Sequence, residues 1–314
     1  MTHSNNWLAK FYVALLVSLF TSVVLPVTAN AQQNPAPLNK PIDTTEQLPH
    51  TILRLPNVHP GREQLYDYAK NLLTEVLDAT APVYGSYKIH ITDIHTSQSR
   101  QLRNLEHNLL DVTWTMSSKE RERQFLPIRI PIMAGLLGKR ALLVKENDNR
   151  LQLVNAKDDL TAFRAVLGYD WPDTKIFRAS NIEVLETTYH ASFRIVTEGF
   201  ADFFPRSVLE VKEELSNEKL TAGLTVDDHV IISYPSPVFF FVNSSNTALA
   251  TRISEGLLIL FESGRFKSLL EAHSGYIEAM ELIGSRRVIE IDNPLLSEES
   301  KKALEKFLPE FYSH

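Results

Sequence analysis

The sequence predicts an α/β protein of two lobes joined by hinge strands, and three observations carry this prediction. Strand and helix patterns alternate from residue 51 to residue 116, which is typical of a parallel sheet with helical crossovers. A second set of such patterns follows the polar turn "NDNR" at residues 147–150. The chain is expected to pass between the two units at two places, near residues 140–146 and near residues 233–241.

Length and charge narrow the class of protein. The 314 residues carry 32 lysines and arginines against 38 acidic residues, a formal net charge of −6. Basic and acidic residues are interspersed, which argues against a nucleic-acid-binding surface. The sequence contains no cysteine, so disulfides, thiolate metal ligands and a lipid-anchored cysteine are excluded.

The N-terminal residues have the pattern of a secretory signal peptide. Lys10 is followed by the uncharged apolar stretch 11–27 and then by the small-residue sequence Ala29-Asn30-Ala31. We therefore expect residues 1–31 to direct export and to be cleaved after Ala31. The alternative is an uncleaved membrane anchor, but Pro26 interrupts the apolar stretch. Residues 32–47, rich in Pro, Gln and Asn, are expected to form a flexible leader.

The first lobe is expected to occupy residues 48–143. The alternating, β-rich "TILRLP" predicts its first strand, and a stripe of leucines and tyrosines predicts a long helix stopped by Pro82. In chain order, the expected elements are a strand at 51–56, a helix at 62–79, a strand at 87–92, a helix at 97–107 and a strand at 109–116.

The second lobe is expected at residues 144–235, and residues 236–314 are expected to return to the first lobe. Asn246 as an N-cap and Gly264 as a stop predict one long helix in the returning part. The other expected elements are helices at 159–166 and 188–197, a strand at 175–178, and two helices, 267–283 and 297–307, around the short strand "RVIEI".

A run of five charged residues, Lys119 to Arg123, separates two segments that are expected to be buried. A guanidinium at the start of a helix, beside backbone N–H groups and the hydroxyls of Ser117 and Ser118, can hold a carboxylate through two parallel hydrogen bonds. The alternative is a solvated helical turn in which Glu120 pairs with Arg123.

The order of motifs resembles one protein family. Asp111-Val112, the stretch from Thr115 to Arg121, and the proline-containing segment 125–131 before the strand at 141–144 are similar to the pattern "D-V-x-x-x-x-T-x-T-x-E-R" of bacterial extracellular solute-binding proteins, family 3. The segments "GFADFFPR" and "FFFVNSSNTALATRISEGLLILFESGRF" resemble the second-lobe segment and the returning strand and helix of that family. This family includes the polar amino-acid receptors of ABC transporters and has the two-lobe, type 2 periplasmic binding fold.

The resemblance implies roles for five residues. Arg121, with Ser117 and Ser118, is the expected carboxylate clamp, whereas Lys119, Glu122 and Arg123 are expected on the surface. The family's acidic residue for a ligand ammonium falls at Ser207, and Arg206 stands beside it. We expect Arg206 to face the cleft and favour an anionic ligand, the alternative being a structural partner for Glu210 or Asp202. Trp114, near the end of its strand, is the expected stacking wall.

The resemblance implies capture of a small anionic or zwitterionic solute by lobe closure in the periplasm, without enzymatic activity, cofactor or metal. The implied partner is an ABC transporter permease, and the chain is expected to be a monomer that binds no nucleic acid. Two alternatives are a periplasmic module that signals to a membrane sensor protein, and a dehydratase-like enzyme on the same scaffold. An enzyme requires a general acid or base in the cleft, for which Glu198, Asp202 and His190 are the candidates.

Overall fold

A computed structural model describes residues 50–57 and 63–312. The expected signal peptide, its cleavage site and the leader lie outside the described residues. Within them the chain forms eleven strands and eleven α-helices, with short 3₁₀ turns between some of them. In chain order these are β1 (Thr51–Asn57), α1 (Glu63–Tyr84), β2 (Tyr87–His95), α2 (Gln98–Glu106), β3 (Thr113–Met116), α3 (Lys119–Gln124), β4 (Phe125–Ile128), β5 (Lys139–Lys145), β6 (Arg164–Gly168), α4 (Pro172–Ala179), β7 (Glu183–Thr187), α5 (Tyr189–Thr197), β8 (Phe203–Ser207), α6 (Val211–Leu215), α7 (Glu218–Thr221), β9 (Leu224–Ser233), β10 (Val238–Asn243), α8 (Thr247–Glu262), α9 (Arg265–Glu271), α10 (Ser274–Ser285), β11 (Arg287–Glu290) and α11 (Glu298–Tyr312).

Lobe 1 contains two small sheets covered by helices. Strands β1 and β2 pair in parallel, as the crossover through α1 requires. Strand β10 lies between β3 and β4 and is antiparallel to both. Helix α1 packs closely on α8, where a Cβ added to Gly256 would lie 2.6 Å from the carbonyl oxygen of Val76. This close approach explains a glycine within the long helix α8.

Lobe 2 is built on one sheet of six strands in the order β11-β9-β5-β8-β6-β7. Strand β6 pairs in parallel with β7 and β8, whereas β5 is antiparallel to both of its neighbours. Strand β8 is buried along its whole length, because helix α5 and neighbouring segments cover the sheet around it. In the part of the chain that the structure describes, no helix combines the length and the apolar character needed to cross a membrane.

Two expected elements of lobe 2 are wrong. Residues 159–166, expected to be helical, form the 3₁₀ turn Lys157–Ala162 and the start of β6. Residues 175–178, expected to be a strand, belong to α4, which begins at Pro172 and buries Ile176 and Phe177. A proline at the first helical position favours a helix start at Pro172. Residues of β6 form a strand because they pair with β7 on one side and with β8 on the other.

The chain passes between the lobes at different places from those expected. Strand β5 joins the sheet of lobe 2 from Lys139 onward, although the expected boundary lay after residue 143. Strand β11 also belongs to that sheet, although residues 236–314 were all expected in lobe 1. Helix α11 follows β11, so the C-terminal part contacts both lobes.

Candidate functional site

Three cavities lie along helix α2, and one of them also borders the short helix α3. One of about 600 Å³ lies between α2 and α3 of lobe 1 and the β6–α4 connection of lobe 2, and Arg121 lines it. One of about 100 Å³ lies at the ends of β1 and β3. One of about 240 Å³ lies between the start of α2 and the starts of α4 and α5. Gln98 lines both smaller cavities, so residues of both lobes meet around Gln98 and Arg121.

The Arg121 side chain is buried, 9% exposed, and it points inward between the lobes. Its guanidinium donates hydrogen bonds to the Thr115 hydroxyl at 2.6 Å, the Met116 carbonyl at 2.8 Å and the Gln98 side-chain oxygen at 3.1 Å. All three acceptors are neutral. Among the described residues, no ion pair involves Arg121.

Burial lowers the pKa of Arg121 from its ordinary value to about 10, because a low-dielectric environment disfavours the charged form. The negative charges of Asp173, Asp170 and Glu120 act in the opposite direction but do not cancel the effect of burial. Asp173 is itself paired with Arg140 at 2.5 Å and accepts a hydrogen bond from Tyr234. Arg121 is therefore a desolvated cation that is still charged at neutral pH, and the acid with the largest electrostatic effect on it, Asp173, already forms an ion pair with Arg140.

The two serines before α3 are close to Arg121, but their hydroxyls have structural partners. Ser118 is the N-cap of α3 and accepts from the Arg121 backbone N–H at 3.2 Å. Ser117 donates its hydroxyl to Glu122 at 2.6 Å. Both side chains therefore support helix α3, and their expected part in a carboxylate clamp stays a prediction.

Trp114 lies on β3 and lines the 100 Å³ cavity. Its ring is 5.2 Å from the ring of Tyr66 and 6.0 Å from that of Phe240, centroid to centroid. Tyr66 lines the same cavity and donates to the Pro56 carbonyl, and burial raises its pKa to about 12. Trp114 and Tyr66 thus form an aromatic wall beside the acceptors of Arg121.

Arg206 is not an unpaired guanidinium, contrary to the expectation of two free arginines in the cleft. It is 1% exposed and donates two hydrogen bonds to Glu214, at 2.6 and 2.7 Å, and one to Glu210 at 3.2 Å. Although burial lowers its pKa, the charges of Glu214 and Glu210 raise it more. The alternative of a structural partner for Glu210 is the one that the structure supports.

Arg206 also supports an aromatic residue of the site. Its guanidinium carbon lies 4.9 Å from the ring centroid of Trp171, which lines the 600 Å³ cavity, and 4.9 Å from that of Phe204. A Cβ on Gly168 would lie 2.6 Å from the Trp171 ring, so a glycine is required there. The buried ion group therefore holds the lobe 2 wall of the cleft in place.

Sequence reasoning missed three residues of the site. Glu210 lines the 100 Å³ cavity, together with Gln98 and Thr115, which hold Arg121. It stands three positions after Ser207, in the turn after β8. The one signal for Glu210 in the sequence was that it is an acidic residue close to position 207, where the resembled family has an acid.

The charged run at 119–123 is divided between surface and interior. Lys119 and Arg123 are exposed, as expected. Glu120 is exposed as well, and it pairs at 3.5 Å with Lys175 of lobe 2 rather than with Arg123. Glu122, which was expected on the surface, has a side chain only 5% exposed, so that expectation is wrong. A second contact across the cleft is the 2.8 Å hydrogen bond from Ser99 to Asp170.

Several solved structures are similar to this chain. The probable amino-acid ABC transporter extracellular-binding protein of Bacillus subtilis is 15% identical over 71% of this chain and 97% of its own, with a TM-score of 0.53. A periplasmic binding protein of Salmonella typhimurium with high arginine specificity is 13% identical over 70% and 98%, with a TM-score of 0.52. A histidine kinase sensor domain with similarity to periplasmic binding proteins is 17% identical over 73% and 98%, with a TM-score of 0.50.

No protein family model matches the chain, and no curated protein sequence matches it. The similarity to solved structures is therefore one of fold. It confirms the expected class, an α/β protein with the two-lobe arrangement of periplasmic binding proteins. In such folds, ligands bind between the lobes, at the ends of the strands, and the lobes close over them.

Proposed function

We propose that this protein binds a small zwitterionic solute between its lobes, with Arg121 holding the carboxylate of the solute and Glu210 facing its cationic group. The observation that carries the proposal is the buried guanidinium of Arg121, which has only neutral hydrogen-bond partners. A buried cation without a counter-ion is costly, and an incoming carboxylate offsets that cost through charge-assisted hydrogen bonds.

The charges of lobe 2 favour a zwitterion over a simple anion. Arg206 is one cation between two buried carboxylates, Glu210 and Glu214, which are 3% and 1% exposed. Glu210 is the carboxylate of the pair that lines a cavity. A ligand that carries a cationic group as well as a carboxylate can place the cationic group beside this acid while its carboxylate binds Arg121.

The N-terminal sequence and the fold support a proposed location and a proposed partner. Residues 1–31 favour export to the periplasm with cleavage after Ala31. One similar structure is the extracellular-binding protein of an amino-acid ABC transporter, and we propose delivery of the solute to such a permease. The second candidate is a sensing role, favoured by the similar histidine kinase sensor domain. Both roles use the same binding step.

Binding without catalysis is the proposed activity. Of the acids and bases considered for a dehydratase-like enzyme, Asp202 pairs with Arg150 at 2.7 Å and accepts the Arg164 N–H at 2.7 Å. Glu198 pairs with Arg194 at 3.5 Å on the surface of α5. His190 lines the 240 Å³ cavity, and Arg121 does not line that cavity. A general acid and a general base are thus not brought together with Arg121.

A thermal-shift and calorimetry screen tests the proposal. The mature protein is measured with neutral and basic amino acids, with dicarboxylates and with monovalent organic acids, and then as Arg121→Met, Glu210→Gln and the control Arg100→Gln. Arg100 is an exposed arginine on α2. We expect a zwitterion to raise the melting temperature of the parent and the control, and of neither site variant. Equal stabilisation of Arg121→Met contradicts the proposed clamp.

A further inference from the structure

Glu122 is a buried carboxylate that directly follows Arg121 and has a dense set of hydrogen-bond donors. The hydroxyls of Ser117 and Ser300 donate to it at 2.6 Å each, and that of Ser297 at 2.9 Å. Arg129 forms an ion pair with it at 2.7 Å. Although burial raises the pKa of Glu122, these hydrogen bonds lower it more, so the carboxylate is ionised at neutral pH.

Two of these donors come from the C-terminal segment, which begins in the other lobe. Strand β11 pairs in parallel with β9 of lobe 2, from Arg287 opposite Val230 to Glu290 opposite Ser233. Ser297 and Ser300 lie at the start of α11, where the Ser297 hydroxyl also accepts the Ser300 N–H at 3.0 Å. The chain therefore leaves the sheet of lobe 2 and reaches Glu122 in lobe 1 within about ten residues.

Hydrogen bonds fix the segment between β11 and α11 at several positions. The Asn293 side chain donates to the Pro235 carbonyl at 2.8 Å, at the β9–β10 connection between the lobes. The Lys119 backbone N–H, the first of α3, donates to the Leu295 carbonyl at 2.8 Å. The Lys119 ammonium donates to the Pro294 carbonyl at 3.1 Å. Hydrogen bonds thus follow this segment from lobe 2 past the hinge to the helix that carries Arg121.

We propose that Glu122 is a positioning residue for Arg121, and that residues 287–300 act through it as a third connection between the lobes. This inference rests on the proposed function, because it assigns Glu122 a role relative to the ligand contact of Arg121. Helix α3 has six residues, too few to be stable by itself, so its orientation depends on its tertiary contacts. The contacts at Glu122 and Lys119 supply that orientation.

The third connection has a consequence for lobe closure. The β4–β5 and β9–β10 connections can act as hinges, but a change in lobe angle also displaces β11 relative to α3. Either the segment 291–297 bends or the hydrogen bonds at Glu122 and Lys119 are strained. The position of the Arg121 guanidinium is therefore coupled to the angle between the lobes, and the lobes open less than two hinges alone would permit.

The test compares Glu122→Gln and the milder Ser300→Ala with the control Glu299→Gln, an exposed glutamate on the same turn of α11. Native-state hydrogen exchange of the α3 amides is measured against that of the β6 amides in lobe 2. We expect exchange in α3 to be about tenfold faster or more in both site variants, with β6 and the control unchanged. Equal acceleration in α3 and β6 means that Glu122 supports only overall stability, and it overturns the proposal.

The interlobe coupling is measured in the same variants. The chain has no cysteine, so spin labels at Lys88→Cys on β2 and Lys219→Cys on α7 report the distance between the lobes. We expect a narrow distribution in the parent and control and a broader one in both site variants; an unchanged distribution contradicts the third connection. Neither measurement uses a ligand, so a failed solute screen refutes the proposed function, whereas these results decide the role of Glu122.

Discussion

Two buried arginines are expected to lose very different amounts of stability on the same substitution. Arg121 and Arg206 are 9% and 1% exposed. Arg121 has neutral hydrogen-bond partners, whereas Arg206 is bound to two carboxylates. Methionine fills much of the volume of an arginine without its charge. Arg121→Met and Arg206→Met therefore test whether the charge at position 121 serves the fold or a ligand.

The structure sets the expected magnitudes. Burial lowers the pKa of Arg121 to about 10, and a decrease of that size corresponds to a cost of about 3 kcal/mol for the charged form. Its removal relieves that cost and loses hydrogen bonds worth about 1 kcal/mol each, so the free energy of unfolding changes by less than about 2 kcal/mol in either direction. Removal of Arg206 leaves Glu210 and Glu214 buried without their cation, which costs about 3–5 kcal/mol.

Urea and thermal unfolding of the unliganded variants measure the difference, with the exposed Arg100→Met as the control. At about 2–4 °C for each kcal/mol, we expect Arg206→Met to melt about 10 °C or more below the parent, and Arg121→Met to melt within a few degrees of it. If Arg121→Met loses as much stability as Arg206→Met, the guanidinium of Arg121 is a structural group and the reasoning is refuted.

Three further predictions concern packing, pH and export. Gly256→Ala is expected to destabilise the fold by about 1–3 kcal/mol, because its Cβ would meet the backbone of α1, whereas Gly284→Ala, with open space around it, is expected to stabilise α10 by about 0.5–1 kcal/mol in the same unfolding assay. The folded state lowers the pKa of Glu122 below 4.5, so the ionised carboxylate stabilises the fold above that pH and loses this contribution as the pH falls through the folded pKa. We expect Glu122→Gln to flatten the dependence of the free energy of unfolding on pH below about 5. An unchanged slope counts against this role of Glu122. Mass spectrometry of the exported protein should give a chain that begins at Gln32, and a retained N-terminus argues for a membrane anchor.

The sequence by itself was sufficient for the α/β class and for most of the long, periodic elements. Alternating strands and amphipathic helices predicted the α/β class, and helix α8 lies where Asn246 and Gly264 placed its ends. These signals are strong because they depend on neighbours within one or two turns of the chain. The inward position of Arg121 was also expected, although from the resemblance of the motifs rather than from the charge pattern, which by itself favoured a solvated turn.

The tertiary structure decided the features that depend on residues distant in the chain. Short segments such as β6 and α4 carry too little periodicity to fix their type, and pairing within the six-stranded sheet and burial of one face decided it. Glu122 is buried because Ser297 and Ser300, more than 170 positions away, supply its hydrogen bonds. Whether a charged side chain can bind a ligand depends on which counter-ions lie beside it. Those counter-ions come from elements distant in the chain, so no local sequence pattern specifies them.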